Sequence, residues 1–145
     1  MPRTFTLDAA IQLARRAHEG QLDKSGRPYI AHPLRVMGQL RDEHERMAAV
    51  LHDVVEDTEV TLDELTALGC PAEVITAVAA ISKRPGEGQA DYLARVLANP
   101  IALRVKRADI ADNLSADRMS RLDAQTQHRL QAKYEAALRL LDGTA

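Results

Sequence analysis

One short stretch of the sequence, residues 52–57 (HDVVED), gathers four ionisable side chains directly after an apolar run. Residues three or four apart share one face of a helix, so His52 lies one turn from Glu56, and Asp53 lies one turn from Asp57. Imidazoles and carboxylates bind divalent metal ions, and further carboxylates beside them can accept or deliver protons. The pattern therefore predicts a hydrolytic metal site with an acid/base pair, and it fits a solvated acidic helix end poorly.

Two residues elsewhere in the chain are further candidate ligands. His32 precedes Pro33, a residue favoured at the first position of a helix, so its ring is expected at a helix N-terminus. Asp109 is flanked by the small Ala108 and Ala111, so its side chain need not face bulk water. Each residue alone would more often be an ordinary surface or capping group. As a set, two nitrogens and two oxygens leave positions for water on an octahedral ion and favour manganese or iron over zinc: His32, His52, Asp53 and Asp109.

Apolar residues at helical spacing, together with capping signals, predict that helices position these side chains. Thr6 caps the first helix, a capping box beginning at Thr61 opens the fourth, and Pro71 opens the fifth. No segment alternates with period two for long enough to form a strand, so the predicted fold is all-α, one compact bundle of about seven or eight helices. The expected helices span about residues 6–19, 33–40, 43–56, 61–68, 71–81, 90–98, 101–114 and 123–141, with Gly143 as the final stop.

Length and composition favour a single soluble domain in the cytoplasm. A chain of 145 residues is long enough to bury a substantial core. Its single cysteine, Cys70, excludes an intramolecular disulfide, and its place in a Gly-Cys-Pro turn does not favour a nucleophile. The net charge of −2 and the 3% aromatic content argue against nucleic-acid binding. No stretch reads as a membrane span or signal peptide, and nothing in the sequence indicates an oligomeric state.

The order of these motifs resembles that of a known enzyme family. A histidine, then His-Asp, then a distant aspartate on a later helix is the pattern of the HD superfamily of metal-dependent phosphohydrolases. More closely, the chain resembles the hydrolase domain of RelA/SpoT-type enzymes and the stand-alone small alarmone hydrolases, from about residue 5 to residue 120. The segments that carry the resemblance are AHEGQ (17–21), KSG (24–26), PYIAHP (28–33), LHDVVEDT (51–58), and Val105-Lys106, Ala108-Asp109 and Asn113.

The resemblance implies a reaction and a role for each candidate residue. The reaction removes pyrophosphate from the 3′ position of ppGpp or pppGpp and leaves GDP or GTP, within one HD-type hydrolase domain spanning residues 1–145. The implied ligands of an Mn²⁺ ion are His32, His52, Asp53 and Asp109. The implied catalytic acids are Glu56 and Asp57, and the implied substrate contacts are Lys24, Ser25 and Asn113. Because four carboxylates would face an anionic nucleotide, cations are expected at the rim. Their candidates are Lys24, Lys83, Arg84 and Lys106.

The chain departs from the family at two nucleotide contacts. Asp23 stands where the family has an arginine that stacks on the guanine base, and a carboxylate offers no cation–π attraction and repels phosphate. The family's run His-Asn-Met-Arg after the late aspartate is DNLS at residues 112–115. Three hypotheses therefore stay open: an Mn-dependent (p)ppGpp pyrophosphohydrolase, an HD phosphohydrolase acting on another nucleotide or phosphoester, and a non-catalytic metal- or nucleotide-binding module. Retention of both Glu56 and Asp57 argues against the third, since binding alone would not require them.

Overall fold

The computed structural model describes residues 5–142, and within that range the chain forms nine α-helices and no strand. The helices are α1 (Leu7–Ala17), α2 (Ala31–Gly38), α3 (Glu43–Asp57), α4 (Leu62–Ala67), α5 (Ala72–Ile81), α6 (Gln89–Leu97), α7 (Pro100–Asn113), α8 (Ala116–Met119) and α9 (Ala124–Leu141). An isolated antiparallel bridge between Leu22 and Pro28 closes the loop after α1. The all-α prediction is confirmed. Among these residues, no helix combines the length and apolarity needed to cross a lipid bilayer.

Most helix boundaries follow local signals in the sequence. The Thr6 side chain accepts a hydrogen bond from the Ala9 N–H at 3.0 Å, as its predicted capping role requires. Thr61 likewise accepts the Glu64 N–H at 3.2 Å, the first half of the predicted capping box. Pro71 is the N-cap of α5. Local chemistry therefore fixes where these helices begin.

Two details differ from the prediction. Pro33 is the third residue of α2 rather than the first, because the chain already turns at Tyr29, whose carbonyl accepts the His32 N–H at 3.0 Å. The helix count is nine rather than seven or eight, because α8 spans four residues and is too short to show helical periodicity. The stop predicted at Gly143 lies outside the described residues.

The helix that carries the His-Asp motif, α3, lies at the centre of the fold. It packs against α1, α2, α5 and α7. Its residues from Met47 to Leu51, together with Val54, are at most 2% exposed. His52 and Asp53 continue the same buried helix at 4% and 8% exposure. Packing on several sides therefore fixes the direction in which the two polar side chains point.

Cys70 is buried in the turn between α4 and α5. Burial raises the pKa of its thiol from 9.0 to about 11. At pH 8, about one molecule in a thousand carries the reactive thiolate, roughly a hundredfold fewer than with an unshifted thiol. We expect iodoacetamide to alkylate the folded protein at least about tenfold more slowly than the urea-unfolded protein, because the higher nucleophilicity of a less acidic thiolate offsets only part of its lower population. The rate should rise as the pH approaches 11. Mass spectrometry of timed samples measures both rates, and equal rates at pH 8 would contradict the burial of this thiol.

Candidate active site

A cavity of about 360 Å³ opens at the C-terminal end of α3. Its wall is formed by α2, α3, α6, α7, α8 and α9, by the loop after α1, and by the loop between α5 and α6. Every residue that the sequence assigned to metal, catalysis or substrate lines this one cavity: Lys24, Ser25, His32, His52, Asp53, Glu56, Asp57, Asp109 and Asn113. The fold thus gathers candidates from four separate segments of the chain.

A buried cluster of histidine and aspartate forms the floor of the cavity. His32, Asp53 and Asp109 each offer one ligand atom, and these atoms lie within 4.8 Å of one another. His32 Nε2 is 2.7 Å from Asp109 Oδ1, although the two residues are 77 positions apart. The packing of α2 against α7 brings them together.

His52 lies at the edge of this cluster, against Asp53. Its Nε2 is 3.1 Å from Asp53 Oδ1. Its Nδ1 is 3.1 Å from the Ala49 carbonyl one turn earlier on α3, and an Nδ1–H donated there leaves Nε2 facing the carboxylate. His52 is therefore adjacent to the compact group of His32, Asp53 and Asp109, and its ring is held toward that group by the helix backbone.

The charges of the cluster favour a bound cation. Burial opposes protonation of His52, but Asp53 and Asp109 outweigh it and raise the pKa of His52 to about 9. Burial likewise opposes protonation of His32, whose pKa is nevertheless raised by hydrogen bonds to Asp109 and Asp112. The carboxylates thus draw protons onto two buried imidazoles. A set of two imidazoles and two carboxylates with this negative field fits a divalent transition-metal ion.

Two further side chains orient the carboxylates of the cluster. The Tyr29 hydroxyl donates to Asp53 Oδ2 at 2.8 Å, and burial together with Asp53 raises the pKa of Tyr29, so the hydroxyl stays a donor. Lys106 Nζ lies 3.6 Å from Asp109 Oδ2. Burial opposes the charge of Lys106, but Asp109 outweighs it and raises its pKa. Lys106, predicted as a rim cation, therefore lines the cavity as the partner of Asp109.

Glu56 and Asp57 stand at the last turn of α3, on the wall of the cavity. Glu56 Oε2 accepts a hydrogen bond from the Lys83 N–H at 3.3 Å, across the gap between α3 and the loop after α5. Burial raises the pKa of Glu56 and that of Asp57. Both carboxyl groups therefore exchange protons closer to neutral pH than ordinary acids do, which suits acid/base catalysis.

Asp23 organises the loop that carries two of the predicted substrate contacts. Its Oδ1 accepts the Ser25 N–H at 2.9 Å, the Ser25 hydroxyl at 2.8 Å and the Arg27 N–H at 3.0 Å. This arrangement is an Asx turn, in which a short carboxylate replaces backbone partners within the loop. Asp23 therefore has a structural role that the sequence comparison did not suggest, and it places Lys24 and Ser25 at the cavity.

Four lysines and one arginine line the cavity: Lys24, Lys83, Lys106, Lys133 and Arg118. Arg84, a predicted rim cation, is absent from the described lining, and its backbone N–H donates to Glu87 Oε1 at 3.2 Å. The sequence analysis did not predict Lys133 and Arg118 as cations of this site. Lys133 shares a helix stripe with Leu130, Tyr134 and Ala137, which also line the cavity, and a lysine within an apolar stripe was a usable signal. Arg118 lies on α8, which is too short to show a helical pattern in the sequence.

The sequence model of the HD domain matches residues 10–91, more than half of the chain. The chain belongs to the HD domain family. This membership, together with the buried cluster of His32, Asp53 and Asp109, indicates a site for a divalent metal ion.

Similar proteins are named for the hydrolysis of guanosine tetraphosphate. The guanosine-3′,5′-bis(diphosphate) 3′-pyrophosphohydrolase of Vibrio cholerae is 40% identical over 88 residues, which are 57% of this HD domain chain and 12% of that protein. The bifunctional (p)ppGpp synthase/hydrolase SpoT of Escherichia coli is 41% identical over 83 residues, 53% of this chain and 12% of that protein. The chain therefore corresponds to a small part of each relative.

A solved structure shares the HD fold along almost the whole chain. It is a metazoan ortholog of SpoT that hydrolyses ppGpp and plays a role in starvation responses. The TM-score is 0.79 with 23% sequence identity, over 99% of this chain and 89% of the other. At that identity, the likeness establishes the fold.

Proposed function

We propose that this HD domain is a metal-dependent phosphohydrolase that removes pyrophosphate from the 3′ position of (p)ppGpp and leaves GDP or GTP. The observation that carries the proposal is one cavity in which the buried His32–Asp53–Asp109 cluster faces two additional acids, Glu56 and Asp57. A module that only bound a metal or nucleotide would not need those two acids. The choice of substrate is supported by the relatives, whose names give this nucleotide. We also propose that residues 1–145 form a single HD-type hydrolase domain.

The proposed metal is Mn²⁺, and its proposed ligands are His32, His52, Asp53 and Asp109. Two nitrogens and two carboxylate oxygens suit manganese, and they leave coordination positions for water and substrate. When bound, the ion polarises a phosphoryl oxygen and lowers the pKa of water. The chain holds the ligands from outside: the Tyr29 hydroxyl orients Asp53, and Lys106 orients Asp109.

Glu56 is the proposed general base. The Lys83 N–H fixes one of its carboxylate oxygens, so the group is oriented before substrate binds. Glu56 takes a proton from the water that attacks the phosphorus on the ribose 3′-oxygen. As the 3′-O–P bond breaks, the raised pKa of Glu56 favours the return of that proton to the departing 3′-oxygen near neutral pH, and pyrophosphate carries away the water oxygen. Asp57, one residue further along, is proposed to do the same for a second water or to hold the ribose side of the substrate.

The cations of the cavity are proposed to bind the phosphate groups of the substrate. Without them, the carboxylates would repel a nucleotide that carries several negative charges. Lys133 has its pKa lowered by burial and by repulsion from Lys106, Lys83 and Lys24, so these ammonium groups share one region of the cavity. An anion in that region would relieve their mutual repulsion. Lys24, Ser25 and Asn113 are proposed to contact the nucleotide.

A second candidate function is an HD phosphohydrolase acting on another nucleotide or phosphoester. Asp23 favours it, because a carboxylate at the cavity rim cannot provide cation–π attraction for a guanine base. Although burial acts to raise it, the pKa of Asp23 is lowered by hydrogen bonds from Arg27 and Ser25, so the group stays anionic. The metal chemistry would be the same in both cases, and only base recognition would differ.

The test is the release of pyrophosphate and phosphate by metal-stripped, Mn²⁺-reloaded protein. The substrates offered are ppGpp, ppApp, nucleoside mono-, di- and triphosphates, and NADPH. Selective pyrophosphate release from ppGpp is the expected result. Hydrolysis of another compound without hydrolysis of ppGpp would favour the second candidate. If the protein binds Mn²⁺ but hydrolyses none of the compounds, a non-catalytic module would be favoured.

Replacing Lys133 with methionine is expected to raise KM for ppGpp by roughly 10- to 150-fold while kcat changes little. A hydrogen bond to a charged group is worth about 1.5–3 kcal/mol, and loss of binding shared by ground state and transition state appears in KM alone. Steady-state assays of pyrophosphate release measure both constants. The Lys133→Arg variant keeps the positive charge, and its KM should stay close to that of the wild-type protein. A KM that does not move in Lys133→Met would remove this lysine from phosphate binding.

A further inference from the structure

Asp112 reaches the proposed metal ligand His32 from the side opposite to Asp109. Both aspartates lie on α7, one turn apart, and both contact the same imidazole. Asp112 Oδ2 is 2.6 Å from His32 Nδ1, whereas Asp109 Oδ1 is 2.7 Å from His32 Nε2. Asp109 lines the cavity, and Asp112 is absent from its described lining. Asp112 therefore contacts the ligand His32 rather than the space in which a substrate would lie.

Arg35 fixes the Asp112 carboxylate in place. Its Nε donates to Asp112 Oδ1 at 2.9 Å, and its Nη2 donates to Oδ2 at 3.2 Å, a two-point contact that sets both position and plane. Arg35 lies one turn after His32 on α2, so the same helix supplies the imidazole and the guanidinium. Asp112 is only 6% exposed, and a buried carboxylate needs such partners to offset its lost hydration.

The contacts around His32 Nδ1 show which group carries the proton there. Arg118 Nη1 is 2.9 Å from Nδ1, but a guanidinium can only donate, and it has an acceptor in Asn113 Oδ1 at 2.5 Å. A neutral Nδ1 accepting from Arg118 would leave the Asp112 carboxylate at 2.6 Å facing a lone pair. The Nδ1–H therefore donates to Asp112, and Nε2 is the nitrogen available to the cluster with Asp53 and Asp109.

We propose that Asp112, held by Arg35, is a positioning residue that fixes the ring orientation and tautomer of His32 so that Nε2 binds the metal. This inference rests on the metal site of the proposed function. A carboxylate behind a metal-binding histidine orients the ring and strengthens it as a ligand. Asp112 thus acts on the metal affinity, whereas its neighbour Asn113 lines the cavity.

The test is Mn²⁺ affinity, measured on the metal-stripped 145-residue protein by the electron paramagnetic resonance signal of free Mn²⁺. We expect Asp112→Asn to weaken binding by about tenfold or more, since loss of such a partner typically costs 10- to 100-fold in metal affinity. Arg35→Met should weaken binding by a smaller factor, because the carboxylate remains and keeps Arg118 Nη1 at 3.5 Å but loses the two-point contact with Arg35. The matched control is Asp142→Asn, which also breaks an aspartate–arginine contact, with Arg107, but on the exposed surface.

Melting temperatures of the metal-free variants separate positioning from loss of fold. A purely structural role would lower the melting temperature and leave the Mn²⁺ affinity at 20 °C unchanged, and that result would overturn the inference. If Asp112→Asn does not fold, Arg35→Met decides, because the Arg35 side chain is 36% exposed and its loss leaves no buried gap.

Wild-type protein that binds no Mn²⁺ would overturn both this inference and the proposed function. A different outcome is that the wild-type protein binds Mn²⁺ more tightly than the Asp112→Asn variant but does not hydrolyse ppGpp. That outcome would overturn the hydrolase proposal alone.

Discussion

Replacing Glu56 with glutamine is expected to lower kcat for ppGpp hydrolysis by about a hundredfold to ten-thousandfold, the usual contribution of a positioned acid/base group. Glutamine keeps the size of the side chain, and its amide oxygen can still accept the Lys83 N–H that holds Glu56 Oε2. The amide cannot take a proton from water. Because Glu56 is not in the compact cluster of His32, Asp53 and Asp109, Mn²⁺ binding should persist.

Two measurements on the same preparation make this prediction specific. Pyrophosphate release gives kcat, and the signal of free Mn²⁺ gives the metal affinity. The control is Glu59→Gln, an exposed glutamate just beyond the end of α3 that is absent from the described lining of the cavity. It should keep full turnover. Full turnover by Glu56→Gln would exclude Glu56 as the base, and loss of both turnover and Mn²⁺ binding would indicate that Glu56 serves the metal site instead.

The central part of the site could be predicted because its information is local. His52, Asp53, Glu56 and Asp57 lie within two turns of α3, so helical geometry alone places them together. The caps at Thr6 and Thr61 are likewise decided by neighbouring residues in the sequence. For these residues, whose pattern is contained within one helix, the sequence and the structure agree.

The parts that depend on packing between helices could not be predicted in the same way. Asp109 and Asp112 sit one turn apart on α7, and no local rule says which of them faces the cavity and which lies behind His32. That choice follows from how α2 and α7 pack. Asp112 appeared in the sequence only as an altered nucleotide contact, and in the structure it contacts a histidine 80 positions away.

The cations illustrate the same limit. Arg84 and Lys83 are neighbours in a basic stretch of the loop after α5, yet only Lys83 is found in the described cavity lining. The backbone N–H of Arg84 donates to Glu87 Oε1, within the loop itself, whereas the backbone N–H of Lys83 donates to Glu56 on the cavity wall. Arg118 comes from a four-residue helix with its N-cap at Ser115, and four residues are too few to show a helical pattern in the sequence. Charge composition therefore predicted the need for cations but not their positions.

Adding Mn²⁺ to metal-stripped protein is expected to raise its melting temperature by roughly 5–10 °C when Mn²⁺ is at about a hundredfold excess over Kd. Mass action at that excess contributes about 2.7 kcal/mol to the folded state, and each kcal/mol shifts the melting temperature of a domain of this size by roughly 2–4 °C. Removal of the metal by a chelator should abolish pyrophosphate release, and added Mn²⁺ should restore it. Differential scanning fluorimetry across an Mn²⁺ titration measures the shift.

The Asp53→Asn variant is expected to lose this Mn²⁺-dependent shift. Asp53 is 8% exposed, contacts His52 Nε2 at 3.1 Å and accepts the Tyr29 hydroxyl at 2.8 Å, so asparagine can keep a hydrogen bond while losing the negative charge. A neutral amide is a weak ligand for a divalent ion, and the cluster then has one carboxylate fewer to attract it. Asp142→Asn should keep the full shift, because Asp142 pairs with Arg107 on the exposed surface. A full shift in Asp53→Asn would mean that the ion binds elsewhere, and the proposed metal centre would then be wrong even if the protein needs Mn²⁺ for turnover.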